Sequence, residues 1–397
     1  MLATNRPRVA LFGVGKPPPP CADANVKNDQ GNANDGKCSV KFVLAAGGSA
    51  GHVYPAINTA RAILDLDPQA TVTIMGTERG LDATLVPPTG LALELLPSVP
   101  FPRKLDGQAF TFLPKFIASV RLARRFLKAH SIDVVIGFGG YASAPAYLAA
   151  KSLGLCVIVH EANSTAGLAN KLGATLTPHV AAMFEGVISG ARVIGMPLST
   201  DIVELDRHQG QTKAREYFDL PKTGPVLLVF GGSQGAQSIN TAIEAALPQL
   251  LAAGVSVLHA VGTGNIGAAG PVIDSPGVVY RTVPFISRMD LAYCAADLVV
   301  ARAGAMTVAE IATVGVPAIF VPLPIGNGEQ KRNAQALTSA GAAIEIENSA
   351  FTPDTVVSKI LPLVLDNQML TKMAETRRGM SPTNAAKELA VWGLSCP

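Results

Sequence analysis

Apolar and polar positions alternate in blocks along most of this chain. From residue 40 onward, short apolar runs are followed by longer segments in which apolar residues recur at helical spacing. Short buried strands that alternate with helices are typical of a parallel sheet covered by helices on both faces. The pattern therefore predicts a doubly wound α/β fold. Its first series of strands is Val40–Ala45, Thr71–Met75, Leu91–Leu96, Ile132–Gly137, Leu155–His160, Val180–Met183 and Arg192–Ile194.

A glycine and a proline interrupt the series at Gly195-Met196-Pro197, which predicts a hinge. The 397 residues also exceed the roughly 100 to 150 of a typical domain, so two domains are expected. We predict domains of residues 40–196 plus 381–397 and of residues 197–380, with the last helix packing back on the first domain. The second series of strands is Val226–Phe230, Ser256–Ala260, Val278–Arg281, Leu298–Ala301, Ala318–Val321 and Ala343–Glu347.

Composition excludes some classes of protein. Residues 1–39 combine a run of prolines with a polar stretch, and they predict a disordered N-terminal extension rather than a secretory signal. Charged residues make up 15% of the chain and the net charge is +3, which argues against a nucleic-acid partner. No apolar run reaches the roughly 20 residues that span a bilayer.

The five cysteines lack CxxC spacing, so they are expected to be reduced thiols of a cytosolic protein.

Two glycine-rich turns share the pattern GGS-x-G after a predicted strand. They are residues 47–51 in VLAAGGSAGHVYP and residues 231–235 in VLLVFGGSQG, which lie 184 residues apart (231 − 47). Such turns bring backbone N–H groups and a helix N-terminus to an anion, so the pair predicts two nucleotide-binding-type domains facing one another. The first helix is expected to open at Pro55. Neither turn has a Walker lysine or a GxGxxG pattern, which disfavours phosphoryl transfer and dehydrogenase chemistry.

Several polar residues at these turns and strand ends have two interpretations. His52 either takes a proton from a hydroxyl or is structural, and Asn163 either faces a cleft or shapes a turn. Thr307 and Glu310 have the spacing of a capping box, yet Glu310 would equally suit a ribose diol. Residues 110–128 interleave apolar and basic positions, which is typical of a solvated amphipathic helix and also of a helix that docks on an anionic membrane. Spacing alone leaves these alternatives open.

Six segments occur in a characteristic order along the chain: GGSAGHVYPA, GFGGYASAPAYLAA, HEANSTAGLANK, LVFGGSQGAQSIN, AADLVVARAGAMTVAEIATVGVPAIFVP and LPIGNGEQKRNA. Together they resemble the MurG family, enzymes that add N-acetylglucosamine to the lipid-linked muramyl-pentapeptide precursor of peptidoglycan. The resemblance covers roughly residue 40 to the C-terminus, and the last segment resembles actinobacterial members in particular. It implies a GT-B architecture, in which two Rossmann-like doubly wound domains face one another across a cleft.

The resemblance also implies roles for individual residues. His52 matches the proposed general base, Ser233 would meet the diphosphate and Glu310 would bind the ribose. The backbone of Ile286 would hold the uracil, and Gln330 would bind sugar hydroxyls. The remaining residues implied in substrate binding are Ser49, Ala50, Gly51, Asn163, Ser199, Ala305, Met306, Thr307, Val308 and Ala309.

This chain departs from the family pattern at three positions. Ala50 stands where many members have glycine, and Glu329 replaces a common glutamine. Ser199 stands where members usually carry an arginine that reaches the nucleotide. Loss of that charge-assisted contact predicts weaker donor binding.

The implied reaction is an inverting transfer from UDP-N-acetylglucosamine to the C4 hydroxyl of lipid I, without a metal or another cofactor. The implied location is the cytoplasmic face of the cell membrane, as a peripheral protein with cell-wall synthesis proteins as potential partners. Two alternatives stay open. One is a related GT-B enzyme with another lipid or a natural-product acceptor, and the other is a sugar-nucleotide-binding protein without turnover.

Overall fold

The computed structural model describes residues 39–100, 107–268, 273–275, 277–324, 328–376 and 384–396. The predicted disordered extension lies outside the described residues, except for residue 39. The first part of the predicted C-terminal return, residues 381–383, also lies outside them.

The first sheet has seven parallel strands in the order β3-β2-β1-β4-β5-β6-β7. The order reverses between β1 and β4, as it does in doubly wound sheets. The strands are β1 Lys41–Ala45, β2 Thr71–Thr77, β3 Ala92–Leu96, β4 Val134–Gly137, β5 Cys156–Glu161, β6 Val180–Ala182 and β7 Arg192–Val193. The helices that connect them are α1 Ala50–Leu66, α2 Asp82–Leu85, α3 Gly107–Ala129, α4 Ser143–Ser152 and α5 Leu168–Leu176.

The second sheet has the order β10-β11-β9-β8-β12-β13-β14, and only the pairing of β10 with β11 is antiparallel. Its strands are β8 Val226–Phe230, β9 Ser256–Ala260, β10 Ile273–Ser275, β11 Val278–Val283, β12 Leu298–Ala301, β13 Ala318–Phe320 and β14 Ala343–Glu345. The remaining helices are α6 Thr200–Val203, α7 Arg207–Tyr217, α8 Gln237–Ala252, α9 Met289–Ala295, α10 Ala305–Val314, α11 Glu329–Ser339, α12 Pro353–Thr355, α13 Leu361–Leu365, α14 Asn367–Thr376 and α15 Ala385–Leu394.

Apolar clusters cover both faces of each sheet. The central strands are buried along their whole length, as in β8, where all five residues are buried. This explains why the strands appear in the sequence as continuous apolar runs rather than as an alternating pattern. The prediction of two doubly wound α/β units is confirmed. The exact domain boundaries stay a prediction.

Two contacts connect α1 to segments that follow the first sheet in the chain. The side-chain amide of Asn58 in α1 donates to the carbonyl of Pro197, at 3.0 Å, where the chain leaves the first sheet. Helix α15 follows the second sheet in the chain but packs against α1, burying Ala385, Leu389 and Ala390 in the first apolar core. The last helix therefore belongs structurally with the first sheet.

The return of α15 to the first sheet also brings two cysteines together. Cys396, just after α15, is joined by a disulfide to Cys156 at the start of β5, with Cα atoms 6.2 Å apart. The expectation that all five thiols are reduced is therefore wrong for this pair, because spacing in the sequence does not show which segments the fold brings together. Cys294 is buried and has a free thiol. Cys21 and Cys38 lie outside the described residues.

Helix α3 extends over the segment with the amphipathic basic pattern. Leu113, Ile117 and Leu122 are exposed on it, by 59%, 39% and 42%. Within the described ranges, no helix is both long and apolar enough to cross a membrane.

Candidate active site

The first glycine turn ends earlier than the sequence predicts. Ser49 has an extended backbone and α1 begins at Ala50, so the expectation that the helix opens at Pro55 is wrong. Pro55 lies in the second turn instead, where it costs one backbone hydrogen bond to Gly51. The consequence is that Ala50, Gly51 and His52 form the first turn of α1, with their N–H groups directed toward the carboxyl edge of the first sheet.

His52 is held by its own turn. Its Nδ1 lies 3.3 Å from the carbonyl oxygen of Gly47 and 3.1 Å from the hydroxyl of Ser49. Because a carbonyl only accepts, we assign the proton to Nδ1, which leaves Nε2 as the basic nitrogen. Burial lowers the pKa of His52, although the charges of Glu161 and Asp82 act to raise it. A neutral imidazole with a free Nε2 is what a general base requires.

The segment that follows β4 closes over this turn. Gly140 has φ +79°, and a Cβ there would lie 2.2 Å from the carbonyl oxygen of Gly47. At Gly139 a Cβ would lie 3.3 Å from the His52 ring. The two glycines therefore let the backbone pack directly against the first turn and the imidazole.

Two buried carboxylates, which sequence reasoning missed, accept hydrogen bonds from the loop after β5 and from the first glycine turn. Glu161 is 2% exposed and accepts hydrogen bonds from the backbone of Asn163 at 2.9 Å and from the amide of Asn170 at 3.0 Å. Asp82 is fully buried and accepts from the backbone N–H of Gly48 at 3.0 Å. The N–H of Gly48 is thus already used within the protein, which reduces what the first turn offers to an anion.

The second glycine turn has a more open set of donors. A Cβ at Gly235, where φ is +76°, would lie 2.1 Å from the carbonyl oxygen of Val261, so only glycine fits. The carbonyl of Ser233 accepts a hydrogen bond from the N–H of Thr263 at 3.3 Å. Ser233 itself is half-exposed. Helix α8 begins at Gln237 without a side-chain cap. Its first N–H groups can therefore serve an anionic ligand.

Helix α10 brings Glu310 to the same region. Its N-cap is Gly304, without a side-chain cap, and the Glu310 carboxylate accepts from the hydroxyl of Tyr293 at 2.8 Å. The capping-box interpretation of Thr307 and Glu310 is therefore wrong. Burial raises the pKa of Glu310 to about 7, while the hydrogen bond from Tyr293 acts to lower it. Tyr293 is fully buried, and sequence reasoning missed it.

Three other predicted residues occupy distinct places around the second sheet. Ser199 precedes α6 and is half-exposed, and its side chain does not cap that helix. Ile286 is buried after β11 and lines a pocket of about 420 Å³. The side-chain oxygen of Gln330 accepts from the N–H of Leu323 at 2.9 Å. Residues 305–309 form the first turns of α10 beside Glu310.

The two halves of the site meet through the loop after β5. The N–H of Ser164 donates to Asn333 in α11 at 3.0 Å, and its hydroxyl donates to the carbonyl of Glu329 at 3.2 Å. Burial raises the pKa of Glu329, and the charge of Glu161 in the other domain adds to this. Asn163 lies in the loop after β5 and Gln330 lies in α11, so these two predicted site residues belong to the two segments that form this contact.

Comparison with known proteins shows the family to which this chain belongs. Residues 42–182 match the family model of the glycosyltransferase family 28 N-terminal domain, and residues 226–389 match its C-terminal domain. The UDP-N-acetylglucosamine–N-acetylmuramyl-(pentapeptide) pyrophosphoryl-undecaprenol N-acetylglucosamine transferase of Nocardia farcinica is 48% identical, over 90% of this chain and 96% of the relative. The corresponding transferase of Saccharopolyspora erythraea is 49% identical, over 88% of this chain and 92% of the relative.

Solved structures give the same result. The crystal structure of MurG from Acinetobacter baumannii matches with a TM-score of 0.69 and 29% identity, over 90% of this chain and 99% of that one. A glycosyltransferase of kitacinnamycin matches with a TM-score of 0.62 and 17% identity, over 90% and 100% of the two chains, which shows a shared fold. On the family models and the curated relatives together, this chain belongs to glycosyltransferase family 28 and, within it, to the MurG N-acetylglucosamine transferases.

Proposed function

We propose that this protein transfers N-acetylglucosamine from UDP-N-acetylglucosamine to the C4 hydroxyl of the muramyl sugar in undecaprenyl-diphospho-N-acetylmuramoyl-pentapeptide, lipid I. The products are lipid II and UDP, and the anomeric carbon is inverted. The observation that carries the proposal is the neutral His52 imidazole, whose Nδ1 is engaged by Gly47 and whose Nε2 is left as a base. The names of the curated relatives supply the donor and the acceptor.

In this mechanism His52 removes the proton of the attacking hydroxyl as the bond to C1 of the donor sugar forms. General base catalysis of this kind contributes about 100- to 10,000-fold to the rate. Glu161 and Asp82 position other residues rather than contact the substrate. Glu161 accepts a hydrogen bond from the loop that carries Asn163, and Asp82 accepts one from the glycine turn that precedes His52.

Departure of UDP places negative charge on the diphosphate. The uncapped N-termini of α8 and α10, together with the hydroxyl of Ser233, offer fixed donors for that charge. Glu310 receives the ribose hydroxyls, and the backbone of Ile286 holds the uracil. Because these donors supply the electrostatic stabilisation, we propose that the reaction needs no metal or other cofactor. A chelator such as EDTA should leave the transfer rate unchanged.

The acceptor is a membrane lipid, and α3 offers a surface for docking on that membrane. Its exposed apolar residues Leu113, Ile117 and Leu122 lie among the exposed basic residues Lys115, Arg121, Arg124, Arg125 and Lys128. Anionic headgroups attract such basic residues, and the apolar side chains enter the interface. We propose a peripheral location on the cytoplasmic face of the cell membrane, where proteins of cell-wall synthesis are potential partners.

A transfer assay with product identification tests this function. The protein is incubated with labelled UDP-N-acetylglucosamine and, in separate reactions, with a soluble lipid I analogue, a diacylglycerol or an aromatic natural product. We expect labelled product only with the lipid I analogue, with a β-linked sugar. Labelled product only with another acceptor would contradict the substrate, and donor binding without any transfer would identify a binding protein.

A further inference from the structure

A second cluster of reactive side chains lies far from the carboxyl edge of the first sheet. Cys156 begins β5, His179 directly precedes β6, and Cys396 follows α15. One ligand atom from each, the two sulfurs and an imidazole nitrogen, lie within 4.8 Å of one another, and all three residues are half-buried. In the structure the two sulfurs form a disulfide, and the imidazole lies beside it.

Three separate elements hold these groups in place. β5 and β6 are neighbours in the sheet, and the carbonyl of His179 accepts from the N–H of Val159 at 2.9 Å. The ring of His179 packs edge-on against Trp392 in α15, with ring centroids 5.6 Å apart. The imidazole is thus oriented by the same helix that carries Cys396 into the cluster.

We propose that, once the disulfide is reduced, this cluster binds one Zn²⁺ ion through the two thiolates and the imidazole of His179. Reduction consumes two molecules of a monothiol, which become one disulfide, and it leaves two protein thiols. Zn²⁺ then displaces the two thiol protons.

The donor set and its geometry suit this ion. Two thiolates and an imidazole form a set that Zn²⁺ prefers, at bond lengths of about 2.3 Å to sulfur and about 2.0 Å to nitrogen. A tetrahedral ion needs the two sulfurs to lie farther apart than they do in the disulfide, and reduction permits this because it breaks the S–S bond. Half-burial of the cluster leaves the fourth position to water. Bound Zn²⁺ would fasten α15 to the first sheet, so the proposal does not depend on the transfer reaction.

Metal titration of the full chain tests the proposal. A Cys21→Ser/Cys38→Ser background leaves the buried Cys294 as the one thiol outside the cluster, and a phosphine reductant opens the disulfide. Titration with Zn²⁺ against a chromophoric chelator should give one equivalent with a submicromolar Kd. Co²⁺ should give a tetrahedral d–d spectrum with a sulfur-to-cobalt charge-transfer band.

Single substitutions then assign the ligands. Cys156→Ser, Cys396→Ser and His179→Ala should each weaken binding by more than about tenfold, since loss of even an outer partner of a metal site costs that much. Cys294→Ser is the matched control, because this buried thiol lies outside the cluster, and it should bind as the background does. Absence of a tight equivalent in the reduced background protein would overturn the proposal, whatever the variants do. So would equal binding by the three ligand variants, with folding checked by circular dichroism.

Discussion

Two titratable residues at the candidate active site are both shifted toward their neutral forms by burial. For His52 the pKa falls, and for Glu310 it rises to about 7. The consequences differ, because a base works best when neutral, whereas a carboxylate accepts ribose hydroxyls best when ionised. In the proposed mechanism the two residues therefore give separate pH dependences, His52 to the chemical step and Glu310 to nucleotide binding.

Nucleotide binding should depend on pH through Glu310. Its pKa is about 7 in the free protein, so the ionised form is lost as the pH falls through that value. We expect the Kd of UDP, measured by calorimetry, to rise as the pH is lowered from 8 to 6. Glu310→Gln should bind more weakly at pH 8 and show a flat profile. A wild-type profile that is equally flat would contradict this role.

Tyr293 should shift that profile. Its hydroxyl donates to the Glu310 carboxylate at 2.8 Å and thereby stabilises the ionised form, so Tyr293→Phe should raise the pKa of Glu310 further. The UDP Kd should then be several-fold weaker at pH 7 and approach the wild-type value above pH 8. Tyr280→Phe is the matched control, because this buried tyrosine in the same domain contacts His259 instead. Equal losses at every pH would indicate a purely structural role for Tyr293.

At the scale of elements, the connection between α2 and the first glycine turn should affect the chemical step. Asp82→Ala leaves the half-buried N–H of Gly48 without its partner, at a cost of about 1 kcal/mol to stability. Because the turn positions His52, kcat should fall by more than tenfold. The UDP Kd should stay within twofold, since the residues proposed to bind the nucleotide belong to the second sheet. A changed Kd with an unchanged kcat would contradict this assignment.

Helix α3 should determine membrane binding without affecting the chemistry. Reversing the charges of Arg121, Arg124 and Arg125 should weaken binding to anionic vesicles, by about 1 kcal/mol for each basic residue removed. Transfer to a soluble acceptor should be unchanged. Charge reversal at the exposed Lys359 and Lys372 of the second domain is the control. Unchanged vesicle binding by the α3 variant at low salt, measured by sedimentation, would refute the docking surface.

Most elements could be predicted from the sequence, because strands buried on both faces leave continuous apolar runs. β10 was missed, since it is a three-residue antiparallel edge strand with little pattern of its own. The start of α1 was predicted too late because proline favours the first turn of a helix, which pointed to Pro55. In the structure the backbone changes from extended at Ser49 to helical at Ala50, so the helix begins there.

The site was only partly predictable. His52, Ser233 and Glu310 stand next to glycine turns or strand ends, where the chain pattern marks them. Glu161 directly follows His160, the last residue of a predicted strand. That position at a strand end was the feature of the sequence that could have marked it as a site residue. Asp82 and Tyr293 act through partners 34 and 17 residues away, and such contacts leave no local pattern. The same holds for Cys156 and Cys396, which are 240 residues apart.

At the scale of the whole molecule, the proposed reaction uses groups from both sheets. His52 follows a strand of the first sheet, and Ser233 and Glu310 follow strands of the second, so the proposed site is complete only when both are present. The loop after β5 connects them through its contacts with α11. Burial raises the pKa of Tyr54 in α1, and the charge of Glu310 adds to this across the cleft.

We propose above all that His52 is the base of a glycosyl transfer between these domains. The most direct test is the rate of transfer from labelled UDP-N-acetylglucosamine to a soluble lipid I analogue, at saturating substrates, for the wild type and His52→Ala. We predict a rate lower by about 100- to 10,000-fold, with an unchanged UDP Kd. The exposed His208→Ala serves as the control and should retain the full rate. Transfer by His52→Ala at the wild-type rate would contradict the account.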